Sequence, residues 1–181
     1  MERIKEKQGK AYAALKERLG LRSIMQTPRI LKVIVNSGTG KHSRLDKNRN
    51  EFVAERISKL AGQKASPRKA RQSIASFKLR EGEPIGQAVT LRGARMHDFL
   101  DRLFNIAVPR IRDFRGFSKA AVDAMGNLTI GIREHNIFPE TADEELKDVF
   151  GLSVTIVTSA KSKEEALAFF EFLGVPFKKR E

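Results

Sequence analysis

Residues 63–95 read QKASPRKARQSIASFKLREGEPIGQAVTLRGAR and carry much of the positive charge of this chain. This stretch contains eight basic residues and only two acidic ones, Glu81 and Glu83. Its net charge is therefore +6, compared with +13 for the whole chain. Solvated protein surfaces normally mix the two signs, whereas a field of one sign attracts a polyanion and steers its approach. Glycines also mark this stretch as rich in loops. The pattern favours nucleic acid as the partner.

Two segments alternate between apolar and other residues, as strands with one buried face do. They are residues 29–36, RILKVIVN, and residues 87–92, QAVTLR. The faces predicted to lie in the core are Leu31, Val33 and Val35 in the first and Val89 and Leu91 in the second. The opposite faces carry Lys32, Ile34 and Asn36, and Ala88, Thr90 and Arg92. Polar groups therefore recur on one side of the predicted sheet.

Four helices and two further strands complete the prediction. Helices are predicted over 2–19, from about Asn48 to Gly62, from about Arg95 to before Pro109, and from Ser162 to Gly174, with capping boxes at Asn48/Glu51 and Ser162/Glu165. LTIGIRE (128–134) and LSVTIVT (152–158) alternate as strands, and residues 110–127 form a long irregular stretch. Short strands mixed irregularly with helices indicate an α+β fold. At 181 residues, 40% of them hydrophobic, we expect one globular domain spanning 1–181.

Composition argues against several other classes of protein. No segment runs 18 apolar residues without interruption, and the first 20 residues lack an apolar core between charged flanks, so we expect neither membrane insertion nor secretion. The chain has no cysteine, which removes disulfides and thiolate chemistry and fits a cytosolic protein.

No catalytic or metal-binding motif is evident. The loop Ser37-Gly38-Thr39-Gly40-Lys41 follows a strand, as a phosphate-binding loop would. A Walker loop, however, requires glycine at position 35, where this chain has valine, and serine or threonine after the lysine, where it has His42. The histidines are His42, His97 and His135. His97 and Asp101 are spaced for a shared helix face, compatible with metal ligation or with a surface hydrogen bond, and no HExxH pattern supports the former. We expect no catalytic residue, metal or cofactor.

The aromatic residues indicate which form of RNA would bind. Readers of single strands stack bases on exposed aromatic side chains. This chain has no tryptophan and one tyrosine, and most of its 12 phenylalanines fall at core positions of helices. There is also no GxxG loop and no aromatic RNP-like strand, which weakens KH and RRM alternatives. A folded RNA, read across its shallow minor groove, is the better prediction.

Five segments together resemble one family. They are SIMQTPRI (23–30), VNSGTG (35–40), SIASFKLREGEPIGQAVTLRG (73–93), FLDRLFNIAVPRIRDFRG (99–116) and IREHNIFPE (132–140). They are similar to the bacterial large-subunit ribosomal protein L-five, the 5S rRNA-binding family. The resemblance runs from near Tyr12 to Phe177. It implies a mixed, largely antiparallel sheet with helices packed on one face and a concave RNA-binding face, and no catalytic activity.

The resemblance also implies site residues. Asn36, Gln63, Thr90 and Arg92 match the family's polar cluster for 5S rRNA, and strand alternation separately places three of these on polar faces. For Gln63 the alternative is that it begins a strand after Gly62. The predicted 5S rRNA-binding residues are Lys32, Asn36, Gln63, Lys64, Thr90 and Arg92.

A loop and an acidic stretch match two further family elements. The residues Phe77, Lys78, Leu79 and Arg80 match the loop that approaches the elbow of the P-site tRNA, the alternative for Phe77 being an anchor in the core. The stretch from Ile137 to Asp148 matches the side that faces a small-subunit head protein across an intersubunit bridge. The implied setting is the cytoplasmic ribosome, with 23S rRNA and neighbouring proteins of the central protuberance as further partners.

The sequence departs from the family pattern at three places. Ser37 and Thr39 replace residues that are usually apolar, GKHSRLDKN (40–48) is unusually basic, and AAVDAMGN (120–127) lacks the family's charged and aromatic residues. Two alternative functions stay open: an RNA-modifying enzyme that uses His97 or His135, and a polyanion binder indifferent to sequence.

Overall fold

The computed structural model describes residues 3–40, 48–141 and 149–178. Over these ranges it contains four α-helices and a five-stranded antiparallel sheet, which confirms the α+β prediction. The helices are α1 (Ile4–Leu19), α2 (Arg49–Ala61), α3 (Gly93–Arg102) and α4 (Lys163–Leu173). The strands are β1 (Ile30–Gly38), β2 (Ser66–Lys69), β3 (Pro84–Leu91), β4 (Leu128–Ile132) and β5 (Leu152–Thr158), in the order β2-β3-β1-β5-β4.

The chain divides into two compact units, each assembled from separate stretches of sequence. The first consists of Met1–Val33, Arg92–Ile130 and Thr155–Glu181, and the second of Ile34–Leu91 and Gly131–Val154. Strands β1, β4 and β5 contribute residues to both units. Neither unit is a continuous segment that could be cut from the chain.

In the first unit, α1 packs against α3 and α4 through Ile4, Ala11 and Leu15. Its first amide is capped from another helix, because the Ile4 N–H donates to Asp101 Oδ1 at 2.9 Å. At the other side, Lys7 Nζ donates to the Leu173 carbonyl at 2.9 Å, which satisfies an end of α4. These two bonds fix α1 to both neighbouring helices.

In the second unit, α2 packs against β3 through Val53, Ile57 and Leu60, all of which are buried. The helix ends at Gly62, whose φ of 63° is the left-handed conformation that favours glycine at a helix end. The predicted capping box at its start is wrong, because the Asn48 side chain accepts no bond from the helix amides. Asn48 adopts helical dihedrals instead, so its side chain is not directed at those amides.

Strand β2 has no counterpart among the strands predicted from the sequence. It pairs antiparallel with β3, with Ser66 opposite Ala88 and Arg68 opposite Gly86. All four of its residues are exposed, so it has no buried face and therefore no alternation to detect. It lies at the edge of the sheet, where proline and basic residues are tolerated.

Two other expectations need correction. Leu31, predicted to lie in the core, is 43% exposed, whereas Ile30 is buried, its N–H bonded to Gln8 of α1. Helix α1 thus covers the start of β1 and interrupts the alternation there. The helical path of α3 also continues past the expected limit, through a π-helical turn at Leu103–Ala107 into a 3₁₀ turn at Val108–Arg110. Val108 is helical although it precedes Pro109. The π turn before it shifts the pattern of backbone hydrogen bonds, and Pro109 lies in the first positions of the 3₁₀ turn that follows.

Candidate nucleic-acid interface

Strand β1 presents the two faces that its alternation predicted over its central part. Val33 and Val35 are fully buried, Lys32 is half-buried, and Asn36 is exposed. The backbone of Asn36 is held in the sheet, since its carbonyl accepts from Ser153 Oγ at 3.4 Å. The Asn36 carboxamide is therefore displayed from a fixed backbone.

Gln63 and Thr90 lie together in the second unit. Gln63 follows the end of α2, does not begin a strand, and donates from Nε2 to the Thr90 carbonyl at 3.3 Å. Both residues are half-buried, and the neighbouring Lys64 is exposed. The bond orients the Gln63 amide and leaves its Oε1 available as an acceptor.

Arg92 lies at the point where β3 gives way to α3. It is the N-cap residue of α3, with an extended backbone, and its exposed side chain makes no capping bond. The left-handed Gly93 follows it, with φ of 63°. Arg92 and Lys32 belong to the first unit, and the other four predicted residues belong to the second. Each of the six is either exposed or half-buried.

A polar cluster, buried at Thr39 and Gln87 and half-buried at Asn50, supports this region and was not identified from the sequence. The side chain of Asn50 is hydrogen-bonded to the Thr39 hydroxyl and donates from Nδ2 to the Pro84 carbonyl at 3.2 Å. The backbone carbonyl of Asn50 accepts from Gln87 Nε2 at 3.3 Å. Gln87 and Thr39 are 4% and 2% exposed. The cluster ties the first turn of α2 to the start of β3. A signal was present, because Gln87 shares its strand face with Val89 and Leu91, and an amide on a core face needs polar partners.

The loop between β2 and β3 is a hairpin closed by backbone hydrogen bonds. Ile74 and Leu79 exchange backbone bonds at 3.0 and 3.1 Å, and the Ala70 N–H donates to the Glu83 carbonyl at 2.8 Å. At its tip Phe77 is 61% exposed and Lys78 has φ of 47°, while Leu79 is half-buried and Arg80 exposed. Of the two alternatives for Phe77, the exposed one is therefore correct.

The basic residues of this region are directed to solvent. Arg68, Lys69, Arg71, Lys78 and Arg80 are all exposed. Lys69 and Arg71 line a shallow depression together with Ile74, Leu79 and Ile85. Since β2 is an edge strand, its residues Arg68 and Lys69 lie at the outer edge of the sheet, and Arg71, Lys78 and Arg80 follow in the hairpin loop.

The two histidines in the described ranges, His97 and His135, pack against neighbouring parts of the fold. His135 is 1% exposed, stacks on the Phe150 ring at 4.1 Å between centroids, and accepts at Nδ1 from the Phe150 N–H at 3.3 Å. His97 is half-buried, and burial, followed by the charge of Lys5, lowers its pKa. Asp101 is engaged with Ile4 as described above. No group of three or more potential metal ligands occurs within residues 3–40, 48–141 and 149–178.

Some of the predicted features lie outside the described residues. They are His42, most of the basic segment 40–48 and most of the acidic segment, residues 142–148. No helix in the part of the chain that is described is long and apolar enough to cross a membrane.

Comparison with known proteins identifies the family. Residues 23–80 match the family model described as Ribosomal protein L5, and residues 84–177 match the model for the C-terminus of the same ribosomal family. The large ribosomal subunit protein uL5 of Lawsonia intracellularis is 49% identical over 172 residues, 95% of this chain and 96% of the relative. The uL5 proteins of a Thermoanaerobacter species and of Syntrophotalea carbinolica are 45% and 50% identical, over 99% and 92% of this chain and 100% and 90% of the relatives. These matches cover nearly the whole length, so the chain belongs to the uL5 family of structural, non-enzymatic proteins of the large ribosomal subunit.

Proposed function

We propose that this protein binds 5S rRNA through Lys32, Asn36, Gln63, Lys64, Thr90 and Arg92 and helps attach that RNA to the central protuberance of the large subunit. One observation carries the proposal. Asn36, Gln63, Thr90 and Arg92, the positions that match the family's polar cluster, are all exposed or half-buried, while their strand neighbours Val35 and Leu91 are fully buried. Polar groups in such positions remain available to a ligand.

Each side chain of this set offers a distinct contact to a folded RNA. The amides of Asn36 and Gln63 pair with base edges or ribose hydroxyls, and the Arg92 guanidinium forms a bidentate contact to a phosphate. Lys32 and Lys64 supply point charges at the border of the same set. Because Gln63 is already oriented by Thr90, less freedom is lost when RNA binds.

The deciding measurement is a titration of the purified protein with 5S rRNA and with an unrelated folded RNA of the same size, in near-physiological potassium and magnesium. We expect a preference of at least about a hundredfold for 5S rRNA, or roughly 2.7 kcal/mol. Asn36→Ala and Arg92→Ala should each weaken 5S rRNA binding by about 1–3 kcal/mol. Arg22→Ala, which removes an exposed arginine outside the proposed face, is the matched control. Equal binding of both RNAs would instead indicate a polyanion binder indifferent to sequence.

The hairpin tip at Phe77, Lys78, Leu79 and Arg80 is proposed to contact the elbow of the P-site tRNA. The exposure of Phe77 supports this, because an exposed aromatic ring flanked by cations suits nucleotide stacking together with phosphate contact. Ribosomes whose large subunits contain the Phe77→Ala variant should release P-site tRNA severalfold faster than ribosomes that contain Gln72→Ala. Gln72→Ala is the control, because it changes an exposed residue of the same hairpin. Unchanged 5S rRNA incorporation is required for the comparison, and identical release rates would remove the tip from the proposal.

The remaining partners rest on family membership. We propose 23S rRNA and neighbouring proteins of the central protuberance as partners, within the cytoplasmic ribosome. For the bridge to a small-subunit head protein we propose the acidic stretch from Ile137 to Asp148, of which Ile137 and Phe138 are buried and Glu140 is exposed.

A further inference from the structure

The first two turns of α1, residues 4–10, form a helix that their own sequence supports poorly. Arg3, which precedes them, makes no side-chain capping bond. Gly9 lies in the interior of the helix, where glycine is unfavourable, and a Cβ there would meet nothing within 4 Å. Residues 3–10 also contain four cations and one carboxylate, Glu6, near the end of the helix whose dipole is positive. Tertiary contacts must therefore stabilise these two turns.

The contacts that hold the first two turns come from α3 and from β1. The Asp101 carboxylate of α3 accepts the Ile4 N–H at 2.9 Å, and the Ile4 side chain is 4% exposed. On the other side, Gln8 Oε1 accepts from the Ile30 N–H at 3.3 Å. A carboxylate is well suited to this end of α1, because it faces the positive end of the helix dipole. Docking therefore depends on Asp101 being free to accept from Ile4.

His97 lies one turn before Asp101 on α3, so the two side chains share a face of that helix. The Nδ1 atom of His97 is buried and has no hydrogen-bond partner within residues 3–40, 48–141 and 149–178. A neutral imidazole tolerates this arrangement, because one of its ring nitrogens carries no proton, whereas both nitrogens of an imidazolium are donors. Protonation in the docked fold would leave a charged ring with a buried donor that lacks an acceptor, which is unfavourable.

The charged groups that act on His97 belong to two helices. Lys5 lies on α1, and Asp101 and Asp98 lie on α3 itself. Burial lowers the pKa of His97 most, Lys5 lowers it further, and the two carboxylates oppose these effects. An imidazolium at position 97 would repel Lys5 and would compete with the Ile4 N–H for Asp101. Both effects weaken the docking of α1.

We propose that residues 4–10 form an acid-released strap, which is docked on α3 while His97 is neutral and is released when His97 takes up a proton. Release frees the Asp101 carboxylate for the protonated ring, exposes Ile4 and removes the Gln8 bond from the start of β1. The released state binds more protons than the docked state, so docking is most stable above the ordinary pKa range of histidine and weakens as the pH falls through that range. The strap does not depend on RNA binding.

The test is native-state hydrogen exchange of the full chain, followed by NMR at pH values of about 7.5 and about 5.5, on either side of the ordinary histidine pKa. Protection factors are compared, since they correct for the pH dependence of chemical exchange. The amides of residues 8–10 lie inside α1 and report on the strap. The amides of Val154 and Ile156, which are fully buried in β5, report on opening of the whole fold.

Three variants accompany the unaltered protein. H97Q removes the titrating ring and keeps a polar side chain. D98N is the control, because it changes an exposed charge on the same helix and retains His97. G9A raises the helix propensity of the strap without adding a contact.

In the unaltered protein and in D98N, we expect strap protection to fall roughly three- to tenfold from the higher to the lower pH, the range that uptake of one proton allows. H97Q should lose this dependence, and G9A should raise strap protection roughly two- to fivefold at both pH values. The β5 amides should stay at least about tenfold more protected throughout, because release is local. Persistence of the pH dependence in H97Q would overturn the proposal. Equal protection of strap and β5, or no response to G9A, would overturn it as well.

A titration of the His97 ring in the unaltered protein provides a second test, which does not require any variant to fold. The midpoint should lie below that of the same ring in the urea-unfolded protein, because burial and Lys5 disfavour the charged form. A midpoint equal to the unfolded value, or above it, would refute the acid-released strap.

Discussion

Gly86 is required for lack of space and not for its backbone dihedral angles. A Cβ on Gly86 would lie 2.9 Å from the Ser37 carbonyl oxygen, which belongs to the backbone of the neighbouring strand. The backbone cannot yield without disturbing the pairing of β3 with β1. Close strand approach therefore requires glycine at this position.

Gly86→Ala should destabilise the protein by about 1–3 kcal/mol, because the extra methyl group forces the two strands apart. Urea unfolding followed by circular dichroism measures the change. Gly38→Ala is the control, since a Cβ there has no neighbour within 4 Å, and we expect it to stay within about 0.5 kcal/mol. Equal effects of the two substitutions would refute the steric explanation.

Glu171 joins three parts of the first unit through its carboxylate. Its oxygens accept from Arg18 Nη2 at 3.0 Å and from Lys119 Nζ at 3.2 Å. The bond from Arg18 lowers the Glu171 pKa most, burial partly opposes that, and Lys119 lowers it further. A carboxyl group with a lowered pKa stabilises the fold above its unfolded pKa, and the stabilisation disappears as the pH falls through the folded value.

Glu171→Gln should therefore lower stability at pH 7 by no more than about 1 kcal/mol, since the pairs are partly exposed to solvent. The difference from the unaltered protein should shrink as the pH is lowered from about 5 to 3, around the ordinary range for glutamate. Thermal unfolding across this range, with the exposed Glu17→Gln as control, measures it. A difference that does not depend on pH would show that the ion pairs contribute nothing.

At the level of elements, the two predicted capping boxes differ in outcome. Ser162 caps α4, its Oγ accepting from the Glu165 N–H at 3.3 Å, whereas Asn48 does not cap α2. Glu165 also accepts from the Lys161 N–H at 2.8 Å, so the first turn of α4 is closed from both sides. The start of α2 depends instead on the tertiary cluster of Asn50 and Gln87.

Ser162→Ala should cost about 1 kcal/mol of stability through the loss of this cap. Ser162→Asp retains an acceptor oxygen and places a negative charge at the helix N-terminus, so it should stay close to the unaltered protein. Chemical denaturation of the three proteins gives the comparison. If alanine and aspartate behave alike, the hydroxyl bond does not stabilise α4.

At the level of the whole molecule, the net charge of +13 gives affinity for any RNA. That affinity depends on counterion release and weakens steeply with salt, whereas contacts to base edges and ribose weaken far less. We expect binding of an unrelated RNA to fall by at least about tenfold between 50 and 200 mM potassium, and the preference for 5S rRNA to rise over the same interval. Filter binding at four salt concentrations tests this. A preference that stays near one throughout would mean that charge alone drives association.

Much of the fold could be derived from sequence alone, because the signals involved are local. Alternation located β1, β3, β4 and β5, glycine after a periodic segment located the ends of α2 and α4, and the basic stretch from Gln63 to Arg95 indicated a polyanion. The polar character of Asn36, Thr90 and Arg92 followed from the same alternation. Their assignment to 5S rRNA came from the family resemblance and remains a proposal.

Tertiary structure decided the features that depend on what a residue meets far along the chain. Burial of His135 on Phe150, the exposure of Leu31, and the Asn50–Gln87 cluster each depend on a neighbour at least 15 residues away or on an adjacent element. The same holds for β2, whose backbone pairs with β3 although none of its side chains is buried. Period and propensity report only the local chain, whereas burial and pairing are set by long-range packing, which overrides local preference.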